Sequence, residues 1–506
     1  MTQDQASNSG IALATTEDHG PPIHFNLNAI RSAVWLHVIA IGVATAGQAH
    51  AHDQADPIQA LEAAVSPGFI IAGEETALPT LEARMESLGV PAVSVAVIDD
   101  GVIAWSRAWG QADRATGRKA TPETVFQAAS ISKPIAAMAA LTLVDDERLA
   151  LDTDVTSDLK KWSIPASTYT ETESVTLRRL LNHTAGLNVH GFPGFAPDAE
   201  IPSAAGILRG DGNTDAVVVE ALPGEAFRYS GGGYTIMEVL VEDVTQQDFA
   251  TFADGAVLEP LNMNRSAFAQ PISPALRDNA AVGYWDVDRP VDGGAHTYPQ
   301  RAAAGLWTTP TDLAQCMISI YDAQHSHTHP VLSMDVLRTA LEPGLNEWGL
   351  GFEVKDNGTR IAHGGANEGF RCWMTMSLAT GDGVVVMTNS DGGGQLCHEL
   401  ALTVAREYGW TGFEPEVKHV VDLTDSQFKN VEGVYTVEGW GSATVEYRNG
   451  ELWAEPTWDD HARLMPESPT QFFVRDTAMP VRFVEEDGKI VAAIFGSWRF
   501  ERTMDE

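Results

Sequence analysis

The chain has 506 residues, enough for two or three domains, and its 44% hydrophobic and 20% charged content is that of a soluble globular protein. Asp plus Glu number 69 against 32 Lys plus Arg, a net charge of −37, which argues against nucleic acid, anionic membrane surfaces and other polyanions as partners. Three cysteines, Cys316, Cys372 and Cys397, are too few for a disulfide framework and lack zinc-type spacing. They read as core residues, with one bridge left open should the protein be exported.

Residues 1–51 form a leader. Arg31 is followed by SAVWLHVIAIGVATAGQAHA, an apolar run that closes on Ala49-x-Ala51, the pattern of a signal peptide with a small-residue cleavage site. His37 and Gly42 interrupt the run too much for a permanent span. The expectation is a periplasmic or secreted protein with no stable membrane span, the competing reading being a mobile tail or retained anchor. Residues 52–80, rich in Ala, Pro, Gly and acid, suit a linker or a short preceding helix.

Leu81 to Leu88 has helical spacing. Two apolar runs then flank Asp99-Asp100-Gly101, a hairpin signature that opens an α/β layer. In the next stretch, FQAASISKPIAAMAALTLV over 126–144, Ser130 and Lys133 are three residues apart, which on a helix makes them neighbours. Ile135, Met138, Leu141 and Val144 recur behind them among alanines, so the helix is expected in a core. A serine hydroxyl attacks well only when a base takes its proton, and a lysine withdrawn from water near a helix N-terminus is such a base. The bland alternative for the tetrapeptide is an N-cap serine followed by a surface lysine.

LRRLLNHTAGL over 177–187 reads as a short helix ended by a turn at Ala185-Gly186, with His183 expected to satisfy backbone groups at the helix end rather than to act chemically. Residues 191–223 read as a loop-rich wall of a pocket. They lead to PGEAFRYSGGGYTIMEVL, in which Tyr229 is a candidate general acid and base if it lies near the lysine, and otherwise a core tyrosine. AAAGLWTTPTD opens another helix near Thr311. His325, His327 and His329 in HSHTH would bind a metal only if they shared a strand face, and a polar loop is the preferred reading, so no metal or other cofactor is expected.

Three sheet-like pieces follow, Thr359–His363, Arg371–Leu378 and Gly383–Asn389, expected to close the sheet as an antiparallel meander. Between the first two, HGGANEGF leaves backbone bare at Gly364 and Gly365, so that a substrate can lie along the edge and the Ala366 amide can point at it. A plain Gly-rich turn is the alternative. From about Val420 short runs at 434–436, 443–445, 452–453, 471–474, 482–484 and 490–495, with hairpin signals at Asn449-Gly450 and Asp487-Gly488, mark a small all-β domain over 420–506.

Taken in order, SISK, LLNHTAGL, PGEAFRYSGGGY, AAGLWTTPTD and HGGANEGF resemble the serine β-lactamase and penicillin-binding-protein-like hydrolases, in the branch of class C β-lactamases, D-aminopeptidases and esterases. The resemblance covers roughly residues 80 to 412 and implies an α/β (α+β) fold, an antiparallel sheet flanked by helices with a helical lobe, over a hydrolase domain at 81–412. It implies Ser130 as the acylated nucleophile, Lys133 as its base or proton partner, and Tyr229 as the residue that helps activate Ser130 and protonates the leaving group. The oxyanion hole would be the amides of Ser130 and Ala366, and the small β domain a lipocalin-like barrel that shapes or covers the cleft.

Two motifs depart from the family pattern. Gly231 stands where class C enzymes carry the Asn of Tyr-x-Asn, and His363-Gly364-Gly365 replaces Lys-Thr-Gly, exchanging a fixed cation for an imidazole expected to be partly charged at neutral pH. Both changes point away from a strong β-lactamase or carboxylate-reading carboxypeptidase and toward a small ester, amide or D-amino-acid peptide as substrate. The other readings are a penicillin-binding or sensing module that is acylated with little turnover, and a weak β-lactamase or D-Ala-D-Ala carboxypeptidase. An α/β-hydrolase is set aside for want of a G-x-S-x-G elbow. Oligomeric state is left open.

Overall fold

The computed structural model describes residues 56–437, 441–457, 461–496 and 498–503. The expected leader at 1–51 lies outside these residues. Among the described residues no helix is long and apolar enough to cross a membrane.

Of the two readings of residues 52–80, a linker or a short preceding helix, the described residues hold the helix. Helix α1 (Pro57–Ala63) starts at Asp56, whose carboxylate accepts from the Ile58 amide at 3.1 Å. It buries Leu61, with Val65 just beyond it, against the rest of the fold. Strand β1 (Phe69–Ile71) pairs in parallel with Glu416–Lys418, far along the chain. The strand has no sign in the composition because it buries only Ile71. Helix α2 (Leu81–Ser87) follows, its N-terminus capped by the Thr80 hydroxyl.

Strands β2 (Ala92–Asp99) and β3 (Val102–Asp113) form the expected hairpin. Asp100 and Gly101 both have positive φ, 50° and 75°, as a two-residue turn matched to strand twist requires. A short β4 (Arg118–Lys119) adds to β3. The sheet is completed by β5 (Glu353–Lys355), β6 (Arg360–Asn367), β7 (Phe370–Ser377) and β8 (Gly383–Thr388), in the order β4-β3-β2-β8-β7-β6-β5, all antiparallel. The meander reads as expected, with one correction. His363 does not end its strand, because β6 runs on through Gly364 and Gly365 to Asn367, paired throughout with β7.

β2 is apolar on both faces and is covered on both. Val93, Val95 and Val97 pack with Val384, Val386, Leu396, Leu400 and Val404, while Ala92, Ala96 and Ile98 join the larger core of the helical lobe. At the centre of that lobe lies helix α3 (Ser132–Asp145), whose residues from Ser132 to Leu141 are all buried. A helix apolar on every side belongs in such a position. Helices α5 (Gly231–Thr245) and α6 (Arg301–Ala304) pack on it, α4 (Leu177–Leu181) packs on α5, α7 (Pro310–Ser326) lies on the sheet and meets α3 through Cys316 and Met138, and α8 (Gly393–Tyr408) covers the other face of the sheet.

The α7 N-cap is Thr309, whose hydroxyl accepts from the Asp312 amide, two residues before the Thr311 expected there. HSHTH is the end of α7 and not a strand face: His325 lies in the last turn, His327 ends it at φ 56°, and His329 Nδ1 accepts from the amides of Val331 and Leu332. All three cysteines are buried free thiols.

After β9 (Glu416–Lys418), the partner of β1, eight strands close an antiparallel up-and-down barrel: β10 (Gly433–Val437), β11 (Gly441–Arg448), β12 (Glu451–Pro456), β13 (Ala462–Pro466), β14 (Gln471–Val474), β15 (Pro480–Glu486), β16 (Lys489–Phe495) and β17 (Trp498–Arg502). Tyr435, Leu452, Phe472, Phe483 and Phe500 fill it. Asn449-Gly450 and Asp487-Gly488 are its turns, each with two positive φ angles. The barrel meets the preceding fold where Phe69 sets its ring edge-on to Phe473 at 6.2 Å and Arg475 pairs with Glu74 at 2.7 and 3.1 Å.

Candidate active site

Ser130 sits in a 3-10 turn (Ala129–Ile131) just before α3, not within the helix itself. The turn is held from both sides. Phe126–Gln127 pairs with Trp307–Thr308, the Ala128 amide donates to the Leu306 carbonyl at 2.8 Å, and the Leu306 amide donates to the Ser132 hydroxyl at 2.9 Å. Ala129 takes φ 49°, a left-handed conformation that costs a non-glycine residue about 1 kcal/mol or more. This contortion leaves Ser130 half-buried at the head of the apolar helix while its neighbours Ala129 and Ile131 are fully buried.

Lys133, one turn on, is only 2% exposed. Its Nζ lies 2.9 Å from Ser130 Oγ and donates to the Ala303 carbonyl at 2.8 Å. The rings of Tyr229 and Tyr234 stand 4.9 and 5.7 Å from the same nitrogen. Burial brings the Lys133 pKa down to about 7 because a dry pocket disfavours the charged form. A substantial fraction of the amine is therefore neutral near pH 7 and able to accept the serine proton.

Tyr229 precedes Ser230, which caps α5 by accepting from the Gly233 amide. Its ring lies over Lys133 Nζ, and its phenol is near enough to the Ser130 side chain to feel it electrostatically. Burial raises the phenol pKa and outweighs the opposing effect of Ser130, so Tyr229 stays protonated and is suited to donate. The three residues Ser130, Lys133 and Tyr229, separated by up to a hundred positions in sequence, thus meet in one cluster.

His363 is placed at the same cluster but in a different state from the one expected. It is buried, Trp348 stands edge-on to it at 5.4 Å, and its Nδ1 lies 2.6 Å from the Gly364 carbonyl. A carbonyl only accepts, so Nδ1 carries the proton and Nε2 is left unprotonated and buried, with no hydrogen-bond partner among the described residues. Burial, followed by the charge of Lys133, lowers the imidazole to about 3. The expectation of a partly charged group at neutral pH is therefore corrected to a neutral imidazole.

Gly364 and Gly365 lie on the segment of β6 that β5 does not pair, since β5 covers only 360–362. This free edge packs beside the Ser130 turn, and Ala366 on it is exposed. Beyond it, Asn367 donates to Gln127 Oε1 at 2.8 Å and to the Ala304 carbonyl at 3.1 Å, tying the edge to the segments on either side of the Ser130 turn. Gly231 is buried. A Cβ there would meet Phe192 at 2.9 Å and the His190 carbonyl at 3.1 Å, so the position missing its Asn is filled by the 190–192 loop.

Three contributors escaped the sequence reading. Ala303 supplies the carbonyl for Lys133, and α6, which carries it, is anchored by the buried Glu238 carboxylate through Arg301 Nε at 3.0 Å and the Ala302 amide at 2.9 Å. Trp348 touches His183, Tyr229 and His363. Asn367 lies inside HGGANEGF, where nothing local assigns it a partner. Among the described residues no group of three or more His, Cys, Asp or Glu side chains is arranged to hold a metal ion.

Comparison with known proteins bears on the whole arrangement. Protein flp of Staphylococcus aureus (strain N315) is 24% identical over 332 residues, which cover 61% of this chain and 61% of that protein. The chain therefore aligns with less than two thirds of that relative's length. Penicillin-binding protein 4* of Bacillus subtilis (strain 168) is 23% identical over 431 residues, 77% of this chain and 89% of that protein.

Two solved structures share the fold. The octameric penicillin-binding protein homologue from Pyrococcus abyssi matches with a TM-score of 0.58 at 22% identity over 83% of this chain and 98% of its own. The D-amino acid amidase of Ochrobactrum anthropi SV3 matches with a TM-score of 0.52 at 19% identity, covering 65% of this chain and 96% of its own. A family model described as Beta-lactamase spans residues 79–406, the segment that contains Ser130, Lys133, Tyr229 and the β6 edge. By that match the chain belongs to the Beta-lactamase family.

Proposed function

We propose that the protein is a serine hydrolase that works through an acyl-enzyme on a small ester, amide or D-amino-acid peptide. The observation that carries this reading is the 2.9 Å approach of Lys133 Nζ to Ser130 Oγ in a pocket dry enough to bring the amine to about 7. The neutral amine takes the Ser130 proton as Oγ bonds to the substrate carbonyl carbon. The amides of Ser130 and Ala366 are the donors assigned to the oxygen that gains charge. Tyr229 gives its proton to the leaving group and regains one from Lys133. Water then attacks the ester on Ser130 and releases the acid.

The state of His363 bears on substrate class. A buried, neutral imidazole offers no fixed cation to a substrate carboxylate, which supports neutral or amine-bearing acyl donors over carboxylate-bearing ones. The similarity to penicillin-binding protein 4* supports a second reading, in which β-lactams acylate Ser130 and leave slowly. Residues 1–51 are read as an export leader, and mass spectrometry of the protein from its native host should find the mature chain starting after Ala51.

A fluorophosphonate probe should label the wild type at Ser130, and Ser130→Ala should lose both labelling and turnover. A panel of chromogenic esters, D-amino-acid amides and a chromogenic cephalosporin separates the readings: steady turnover of esters or amides supports the first, and a stoichiometric burst with the cephalosporin alone supports the second. Full activity in Ser130→Ala would end both.

A further inference from the structure

His183 brackets Tyr229. Its backbone carbonyl accepts from the Arg228 amide at 2.7 Å, and its Nδ1 accepts from the Ser230 amide at 3.1 Å, so one residue holds the chain on either side of the tyrosine. Between those two bonds the imidazole stacks on the Tyr229 ring, with centroids 4.2 Å apart and planes 29° from parallel. Both bonds come from a single residue because His183 has φ 60°, a left-handed conformation that turns its carbonyl and side chain toward the same segment. The ring is 2% exposed and is wedged in place by the edges of Phe227 at 5.8 Å and Trp348 at 5.0 Å.

Satisfying one amide needs no such construction. A helix-end histidine that only capped backbone would have no reason to lie against the ring that stands over Lys133. The cost of a non-glycine residue in left-handed geometry is typical of places where surrounding structure over-determines a functional conformation.

We propose that His183 is a positioning residue for the reaction: with the proton on Nε2, it fixes the backbone and ring of Tyr229 beside Lys133 and Ser130. This inference rests on the reading of Tyr229 as proton donor to the leaving group.

His183→Asn puts an amide oxygen where Nδ1 stood and tolerates the left-handed backbone, but removes the ring. With a chromogenic ester, this variant should lose about tenfold in kcat, with KM changed less than about threefold, because the contact matters when the proton moves and not when substrate binds. Combined with Tyr229→Phe it should add no further loss, since a residue acting through the phenol has nothing left to position. His183→Phe keeps a ring and removes the acceptor, and carries the same pair of outcomes should the Asn variant not fold.

Wild-type kcat in a folded His183 variant, or the same tenfold loss repeated on the Tyr229→Phe background, would overturn the positioning role. Tyr229→Phe impaired beside an unimpaired His183→Asn would overturn that role alone. Full turnover in Tyr229→Phe would overturn the reading of the phenol and the inference together.

Discussion

Gly365 runs so close to Ala128 that a Cβ built on it would lie 2.3 Å from the Ala128 carbonyl oxygen and 2.5 Å from the Cys372 sulfur. The free edge of β6 and the Ser130 turn therefore touch backbone to backbone, and the absence of a side chain at 365 sets their spacing.

Gly365→Ala should push that edge off the Ser130 turn. The expected result is a loss of ten- to hundredfold in kcat/KM, on the order of what displaced catalytic groups cost, with about 1–3 kcal/mol of stability lost to overpacking. Gly364→Ala is the control: its Cβ would meet the Trp373 ring at 3.2 Å, which can shift, and the Cys372 carbonyl only at an ordinary 3.9 Å. Steady-state kinetics and urea melts on both variants check the contrast.

The rate should fall on the acid side as Lys133 takes up a proton. With its pKa brought to about 7, kcat/KM should drop about tenfold per pH unit well below that value. His363, lowered to about 3, should add no break between pH 5 and 8. An acid limb centred at the ordinary lysine value, about 10.4, would contradict the dry placement of the amine.

Stability carries the same signature. Lys133 falls from 10.5 to about 7 on folding, so between those values the unfolded chain binds more protons and stability rises with pH. Lys133→Met should abolish turnover, and its stability relative to wild type should improve as pH is lowered from about 10 to 7. Chemical denaturation at three pH values within that window tests the slope.

Restoring the family's Asn at Gly231 should not create a β-lactamase. The new side chain would drive into Phe192 and the His190 carbonyl, so Gly231→Asn should lower the melting temperature and leave cephalosporin hydrolysis unimproved. Adding Phe192→Ala should recover part of the stability, because the nearest contact is a ring that the second change removes.

Arg301→Ala should strand the buried Glu238 carboxylate, at about 3–5 kcal/mol, the usual cost of breaking a buried pair. Burial already raises Glu238 from 4.5 to about 7, against the pull of Arg301. The folded form thus binds more protons than the unfolded one between those values, and stability falls as pH rises through them. Urea melts should show a smaller penalty for Arg301→Ala at pH 5 than at pH 8.

Much of this was legible in the sequence because the signals were local. Three-residue spacing made Ser130 and Lys133 neighbours, continuous apolar character put α3 in a core, and three two-residue turns set the hairpins. What stayed hidden depended on distant chain. β6 was cut short at His363 because paired glycines look like a break, whereas β7 supplies the pairing and the Ala128 turn demands the missing side chains. The neutral state of His363 follows from burial that no local pattern encodes. Strands β13 and β17 were missed because RLMP and WRFER lack a clean alternation, and only closure of the barrel gives them partners.

The pairing of Phe69–Ile71 with Glu416–Lys418 has a consequence for any shortened form of the protein. A chain that stops before residue 416 keeps β1 but loses the strand that covers its edge and the Phe473 ring that its own Phe69 packs against. Bare strand edges with apolar side chains recruit copies of themselves. Trimming from the C-terminal side therefore invites edge-to-edge aggregation, even though every residue of the Ser130 cluster remains in place.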